Sequence, residues 1–237
     1  MSKLILKAQH EVFKALAGKI DDFYLVGGTA LSLFYFNHRQ SDDLDFFTQE
    51  FSALRIRETV DLLKRATKKE ARLIAENLSK GRAELMIYNL KLSKGEFLKI
   101  DFVRDVLPLA RPLKLVDGIK ILSLEDIYMR KIYAISGALQ EADETGRKRI
   151  IGARQEAKDL FDIYFLSHTF LRLSQFADTF CDQNRKEGII RWFKTFDRTQ
   201  MKADLADIKT DKHLDFRTID KHIAEEIDRI LRREIGL

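Results

Sequence analysis

Three aspartates and a pair of glycines carry the chemistry that can be read from this sequence. Asp43 and Asp45 stand two apart in the run Asp42–Phe47, where Leu44 and Phe46 alternate with them. That period is a β-strand's, so both carboxylates leave the same face, while Asp42 points away. Carboxylates this close repel each other, and a divalent cation between them relieves the repulsion. Asp101 repeats the pattern: Ile100 and Phe102 point into a core, whereas Lys99, Asp101 and Val103 face the other way. A charge inside an otherwise apolar strand needs compensation, which a third ligand position in a shared metal site would give. An all-oxygen set, with no cysteine or histidine cluster, suits Mg²⁺ or Mn²⁺ better than zinc.

Upstream, the apolar run Phe23–Val26 ends at Gly27-Gly28, and a buried helix is expected over Thr29–Phe36. Glycines let backbone N–H groups come close to an anion, and the start of a helix favours phosphate through its free N–H groups and dipole. Fourteen residues separate Gly28 from Asp43, enough for one helix and a return into a neighbouring strand. Phosphate beside divalent cations means phosphoryl or nucleotidyl transfer, in which metals neutralise a triphosphate and activate the attacking hydroxyl. Neither G-x-x-x-x-G-K-[ST] nor G-x-G-x-x-G occurs, so neither a P-loop ATPase nor a Rossmann dehydrogenase is supported.

The elements that must position these residues follow from periodicity. Residues 4–18 form an amphipathic helix, 51–65 another, and 71–78, 83–92 and 97–103 are strands joined by Ser-Lys-Gly turns at 79–81 and 93–95. Asp117-Gly118 splits 113–116 from 119–122 as a type I′ hairpin. From Ser123 the period turns helical, with helices at 124–136, 153–166, 173–182, 186–195 and 218–233 and a loop over 140–151. The expected architecture is α+β, with an α/β domain over residues 1–122. A helical bundle domain over 123–237 follows it.

Composition narrows the setting. The 237 residues are 45% hydrophobic and 33% charged, with two prolines and eleven glycines, so no flexible linker divides the chain. The one cysteine, Cys181, excludes an internal disulfide and has no base partner by spacing. With no signal peptide, this fits the cytoplasm. The longest uncharged stretch, Phe23–His38, is 16 residues and holds two glycines, too short for the roughly 20 apolar residues of a membrane span. Residues 1–122 hold 21 basic and 16 acidic side chains, the whole of the +5 net charge, which favours an anionic partner. Lys64, Arg65, Lys68, Lys69 and Arg72 are the best-placed RNA backbone contacts, although a solvated helix end accounts for them as well.

The run VGGTALSLFYFNHRQSDDLDFF, Val26–Phe47, resembles the first motif of the AbiEii/AbiGii toxin-type nucleotidyltransferases, within the DNA polymerase β-like superfamily. The matching positions are Gly27, Gly28, Asp43 and Asp45, flanked by Thr29, Arg39, Ser41 and Phe46. The run EDIYMRKIYAI offers that family's helix lysine at Lys131. Arg154, Lys158, Asp159, Leu160, Phe161 and Asp162 resemble its later basic-Asp-Leu-Tyr-Asp motif, with Lys158 where arginine is usual and Phe161 for tyrosine. The resemblance covers residues 20–166 and implies that residues 1–122 fold as a nucleotidyltransferase palm, a mixed twisted sheet with flanking helices, ahead of a helical bundle domain.

It implies that Asp43, Asp45 and Asp101 bind metal, with Asp101 also helping to activate the acceptor hydroxyl. Gly27, Gly28 and Thr29 would cradle the phosphates of a nucleoside triphosphate, supported by Ser41. Lys131 would contact the triphosphate with Lys158 as a further contact, and Asp159 would orient a basic group or aid deprotonation; Lys158 and Asp162 share a helix face and would pair. The implied role is the toxin of a toxin–antitoxin or abortive-infection system, acting on the 3′ end of a tRNA or on other RNA, with a cognate antitoxin. A small-molecule or protein nucleotidyltransferase, and an inactive nucleotide- or RNA-binding regulator, remain alternatives.

Overall fold

The computed structural model describes residues 3–79, 83–93, 95–137, 139–142, 148–151 and 153–236, and the chain divides into two compact units, Met1–Ser123 and Leu124–Leu237. The Ser-Lys-Gly turns lie partly outside the described residues.

The first unit is built on a seven-stranded mixed sheet. Its strands in chain order are β1 (Tyr24–Leu25), β2 (Asp43–Thr48), β3 (Ala71–Asn77), β4 (Leu85–Ser93), β5 (Glu96–Arg104), β6 (Lys114–Val116) and β7 (Ile119–Ile121). Across the sheet they run β3-β4-β5-β2-β1-β7-β6. β2 lies parallel to β5 and antiparallel to β1, so the strand bearing Asp43 and Asp45 is central. Asp117 and Gly118 both have positive φ (48° and 76°), as the expected β6–β7 turn requires.

Alternation sorts the two faces. Leu44, Phe46, Met86, Leu90, Leu98, Ile100 and Phe102 are almost fully buried. Phe102 centres this layer, with the rings of Phe23, Phe46 and Tyr88 at 5.3, 5.7 and 6.3 Å. Helix α1 (Lys3–Leu16) packs against β4 and β5 through Ala8, Val12, Phe13, Ala15 and Leu16. Helix α3 (Ala53–Thr67) packs on α1, burying Ile56, Val60 and Leu63 at helical spacing; its first turn is capped by Ser52, which accepts from the Arg55 N–H. Between them, α2 (Gly27–Ala30) begins at the glycines themselves and continues as a π-helical stretch, Leu31–Phe36, that ends on Asn37 at φ 46°. The expected helix thus starts two residues early. Its wider last turns release the chain into β2.

The second unit contains α4 (Leu124–Ser136), α5 (Ala157–Thr169), α6 (Leu173–Phe180), α7 (Gln183–Thr195), α8 (Arg198–Ala206) and α9 (Phe216–Glu234), with a two-stranded ribbon of β8 (Leu139–Ala142) and β9 (Lys148–Ile151). α9 buries Ile219, Ile223, Ile227 and Ile230 against α5, α6 and α7. Tyr128 stacks on Phe176 at 4.1 Å in the core. Three departures from the sequence reading stand out. The stretch expected to be a loop over 140–151 is largely strand, with 143–147 outside the described residues. α5 starts at Ala157, because 153–156 runs extended and the Arg154 N–H donates to the Ala134 carbonyl at 3.0 Å. α8 was not foreseen: it buries only Met201 and so carries almost no apolar period, its start fixed instead by Asp197, which accepts from the Thr199 and Gln200 N–H groups.

Candidate active site

The parallel β2–β5 register decides where the acids stand. Asp43 is opposite Lys99 and Asp45 opposite Asp101, and residues paired across a ladder share a face. Asp43, Asp45, Lys99 and Asp101 therefore all leave the sheet on the side away from Leu44, Phe46, Ile100 and Phe102.

Charge on this face is held in a specific way. Lys99 Nζ donates to Asp101 Oδ2 at 2.5 Å, while Asp101 Oδ1 is buried with no partner among the described residues. Burial raises the Asp101 pKa first, the nearby Asp43 charge adds to it, and the Lys99 bond only partly offsets them. Burial works against the Lys99 ammonium, but the Asp101 bond and the charges of Asp101, Asp45 and Asp43 outweigh it and hold its pKa above the ordinary lysine value. One lysine thus stands among three carboxylates.

The glycine turn is fitted to the same acids. Gly27 has φ +70°, and a Cβ there would lie 2.7 Å from Asp45 Oδ2. At Gly28 a Cβ would overlap the guanidinium of Arg39, which is itself buried. The space left by the second glycine is thus occupied by a cation, a use of that glycine the sequence did not suggest. Thr29 Oγ1 donates to the Asp43 carbonyl at 2.7 Å and lies 2.8 Å from Ser41 Oγ, and the Ser41 hydroxyl reaches Asp43 Oδ1 at 3.1 Å. Ser41 and Thr29 accordingly fix Asp43 in place. Gln9, fully buried on α1, donates to the Ser41 and Asp43 carbonyls at 2.8 and 3.2 Å and ties the start of β2 to the back of the sheet. Its signal was a polar residue inside the apolar stripe of a helix; that of Lys99 was its place two residues before Asp101.

The donor set fits a hard divalent cation: it is all carboxylate oxygen, and it includes an orphaned, buried Asp101 Oδ1. Among the described residues no group of three His, Cys, Asp or Glu side chains already stands close enough to hold a metal. Asp101 Oδ2 is turned to Lys99.

In the second unit, Lys131, Asp159 and Asp162 are brought together. Lys131 Nζ, nearly buried, lies 2.7 Å from both Asp159 Oδ1 and Asp162 Oδ2, and Arg154 Nε donates to Asp159 Oδ2 at 2.7 Å. Asp159 and Asp162 are 1% and 0% exposed, so the two cations neutralise two carboxylates that water does not reach. The expected Lys158–Asp162 pair does not form. Asp162 faces Lys131, because the buried side of α5 turns toward α4, and Lys158 is exposed and unpaired among the described residues. Of the basic group at 64–72, Lys64 pairs with Asp61 and Lys69 with Glu11.

The model of the nucleotidyl transferase AbiEii toxin family, of type IV toxin–antitoxin systems, matches residues 12–234. The chain belongs to this family. Membership brings with it a nucleotide substrate and a cognate antitoxin. Solved structures agree on the fold. JHP933 from Helicobacter pylori matches with a TM-score of 0.58 at 18% identity, over 100% of this chain and 97% of that one. MenT4, a nucleotidyltransferase toxin from Mycobacterium tuberculosis, matches with a TM-score of 0.58 at 12% identity, over 96% and 83%. Comparison with curated proteins finds no match. Among the described residues of this AbiEii-family chain, no helix is long and apolar enough to cross a membrane.

Proposed function

We propose that this AbiEii-family chain transfers a nucleoside monophosphate from a nucleoside triphosphate to an acceptor hydroxyl, releasing pyrophosphate, with Mg²⁺ or Mn²⁺ held by Asp43, Asp45 and Asp101. The observation that supports it is the β2–β5 register, which sets Asp101 beside Asp45 on one face with an unpartnered oxygen.

When bound, the cations would neutralise phosphate charge and lower the cost of deprotonating the acceptor. The chain's own residues do the rest. Thr29 and Ser41 hold the Asp43 carboxylate and strand in register. Gly27, Gly28 and Thr29 receive the distal phosphates, with the Arg39 guanidinium at Gly28 supplying positive charge there. Asp101 Oδ1 accepts the hydrogen bond of the acceptor hydroxyl, orients its oxygen toward the α-phosphorus and takes up its proton as the new bond forms. The bond to that phosphorus forms as its bond to the bridging oxygen breaks, and pyrophosphate carries away the electron pair. In the helical unit, Lys131 is the proposed triphosphate contact, Asp159 and Asp162 set its position, and exposed Lys158 is free to add a further contact.

The proposed acceptor is the 3′ end of a tRNA or another RNA. The test is incubation with each labelled nucleoside triphosphate, Mg²⁺ and total cellular RNA, beside the Asp45→Ala variant. Label should enter RNA with the parent and vanish with the variant. Equal transfer by both defeats the role of Asp45, and label on protein or on small molecules assigns a different acceptor.

A further inference from the structure

Helix α1 presents its buried face to the sheet and a different chemistry to the outside. It lines two adjoining hollows that share His10 and Lys14. The larger, about 640 Å³, is floored by Phe13 of α1, Leu33 and Phe34 of the π-helical stretch and Val116 and Ile119 of the β6–β7 hairpin, with Ala17 just past α1 and Asp117 at the hairpin turn completing its wall. The smaller, about 390 Å³, continues along α1 past Leu6. Lys3, Lys7, His10 and Lys14 recur at steps of four, three and four, which stacks them into one ridge beside this apolar floor.

All four are exposed, and none makes a hydrogen bond or ion pair with any described residue. Elsewhere in the same unit Arg55, Lys64, Lys69, Lys91, Arg104 and Lys120 each find a carboxylate. The one acid on α1, Glu11, is taken by Lys69 at 2.5 Å and does not neutralise the ridge. An apolar floor beside a ridge of three lysines unpaired among the described residues asks for a partner with the opposite pattern.

We propose that this groove docks an acidic amphipathic helix of a protein partner, apolar side chains on the floor and carboxylates along Lys3, Lys7, His10 and Lys14. A helix answers both features, because its apolar stripe and its charges repeat at the same steps of three and four as the ridge. A bare polyanion would meet the ridge and leave the floor uncovered. The groove lies on α1, behind the sheet face that carries Asp43, Asp45 and Asp101, so occupancy leaves those acids open. The inference goes beyond the transfer reaction and does not depend on it.

The test is fluorescence anisotropy on the whole protein with a labelled peptide as long as α1, leucine at i, i+3, i+4 and i+7 and glutamate elsewhere. The parent should bind it saturably, and Lys7→Glu/Lys14→Glu should bind at least about tenfold more weakly. A leucine–lysine peptide of the same pattern should prefer the charge-reversed variant. Val116→Asp, which keeps the ridge but spoils the floor, should also weaken binding, with thermal melts confirming the fold; should it fail to fold, the charge reversal alone decides. The double variant should retain parental nucleotide transfer. No saturable binding to the parent, equal binding to parent and charge-reversed protein, or equal binding of a scrambled peptide overturns the proposal. So does a single-stranded RNA of equal charge that binds with the same dependence on Lys7 and Lys14, which makes the ridge a phosphate track. A parental dimer on light scattering that Val116→Asp dissolves assigns the groove to a second copy instead.

Discussion

Replacing Lys131 by methionine removes the ammonium that pairs with both Asp159 and Asp162, which are 1% and 0% exposed. Arg154, itself about half exposed, still pairs with Asp159, while Asp162 loses its contact with Lys131. Breaking a buried pair from one side costs about 3–5 kcal/mol, because the surviving charge stays desolvated. That is a large part of the roughly 5–15 kcal/mol by which a folded domain is stable. Asp162→Asn alone should cost less, about 1–3 kcal/mol, since the amide still accepts a hydrogen bond from Lys131. The double variant leaves the neutral Arg154–Asp159 pair, so it should be more stable than Lys131→Met alone, with a coupling of about 1–3 kcal/mol. Urea unfolding followed through Trp192, the only tryptophan and a residue of the helical unit, reads these differences. A loss under about 1 kcal/mol for Lys131→Met, or strict additivity within about 0.5 kcal/mol, refutes the reasoning.

Gly28→Ala should displace the Arg39 guanidinium and lower the initial rate of pyrophosphate release by about a hundredfold with little change in helix content; an unchanged rate would show that Arg39 has no part in the site. Asp101→Asn should stabilise the metal-free protein at neutral pH. The sign follows from burial: a carboxyl whose folded pKa is raised adds stability below its unfolded pKa and loses it as pH rises through the folded value. Urea midpoints in EDTA should therefore fall with rising pH more for the parent than for the variant, and a less stable variant at neutral pH contradicts this. Cys181, whose thiol burial pushes up to about 12, should resist iodoacetamide at pH 8 in the folded protein, where only about one thiol in ten thousand is ionised. Rapid alkylation without unfolding would overturn that.

Much of the palm was legible because one face of each strand is buried and the other is not. The alternation Asp43-Leu44-Asp45-Phe46 is forced by a core on one side only, and the register with β5 then follows from matching Leu44 to Ile100 and Phe46 to Phe102. Helices that bury a full stripe, such as α1 and α9, were readable for the same reason. α8, which buries one residue, and the polar β8–β9 ribbon were not, because neither advertises itself by an apolar period. At the site, residue types were visible but their partners were not. Asp162 was matched to the lysine four positions before it in sequence, whereas burial gives it Lys131 on another helix. Arg39 and Gln9 act through long-range contacts, to Gly28 and to the Ser41 and Asp43 carbonyls, that no local spacing encodes.

Titration of the protein with Mn²⁺ in the presence of a non-hydrolysable nucleoside triphosphate, followed by calorimetry, puts the three-carboxylate site to its most direct trial. The parent and Asp42→Asn, whose side chain is exposed, should bind the ion saturably, and Asp45→Asn and Asp101→Asn should each lose that binding. Parental affinity in Asp101→Asn would show that the third strand aspartate does not share a cation with Asp43 and Asp45.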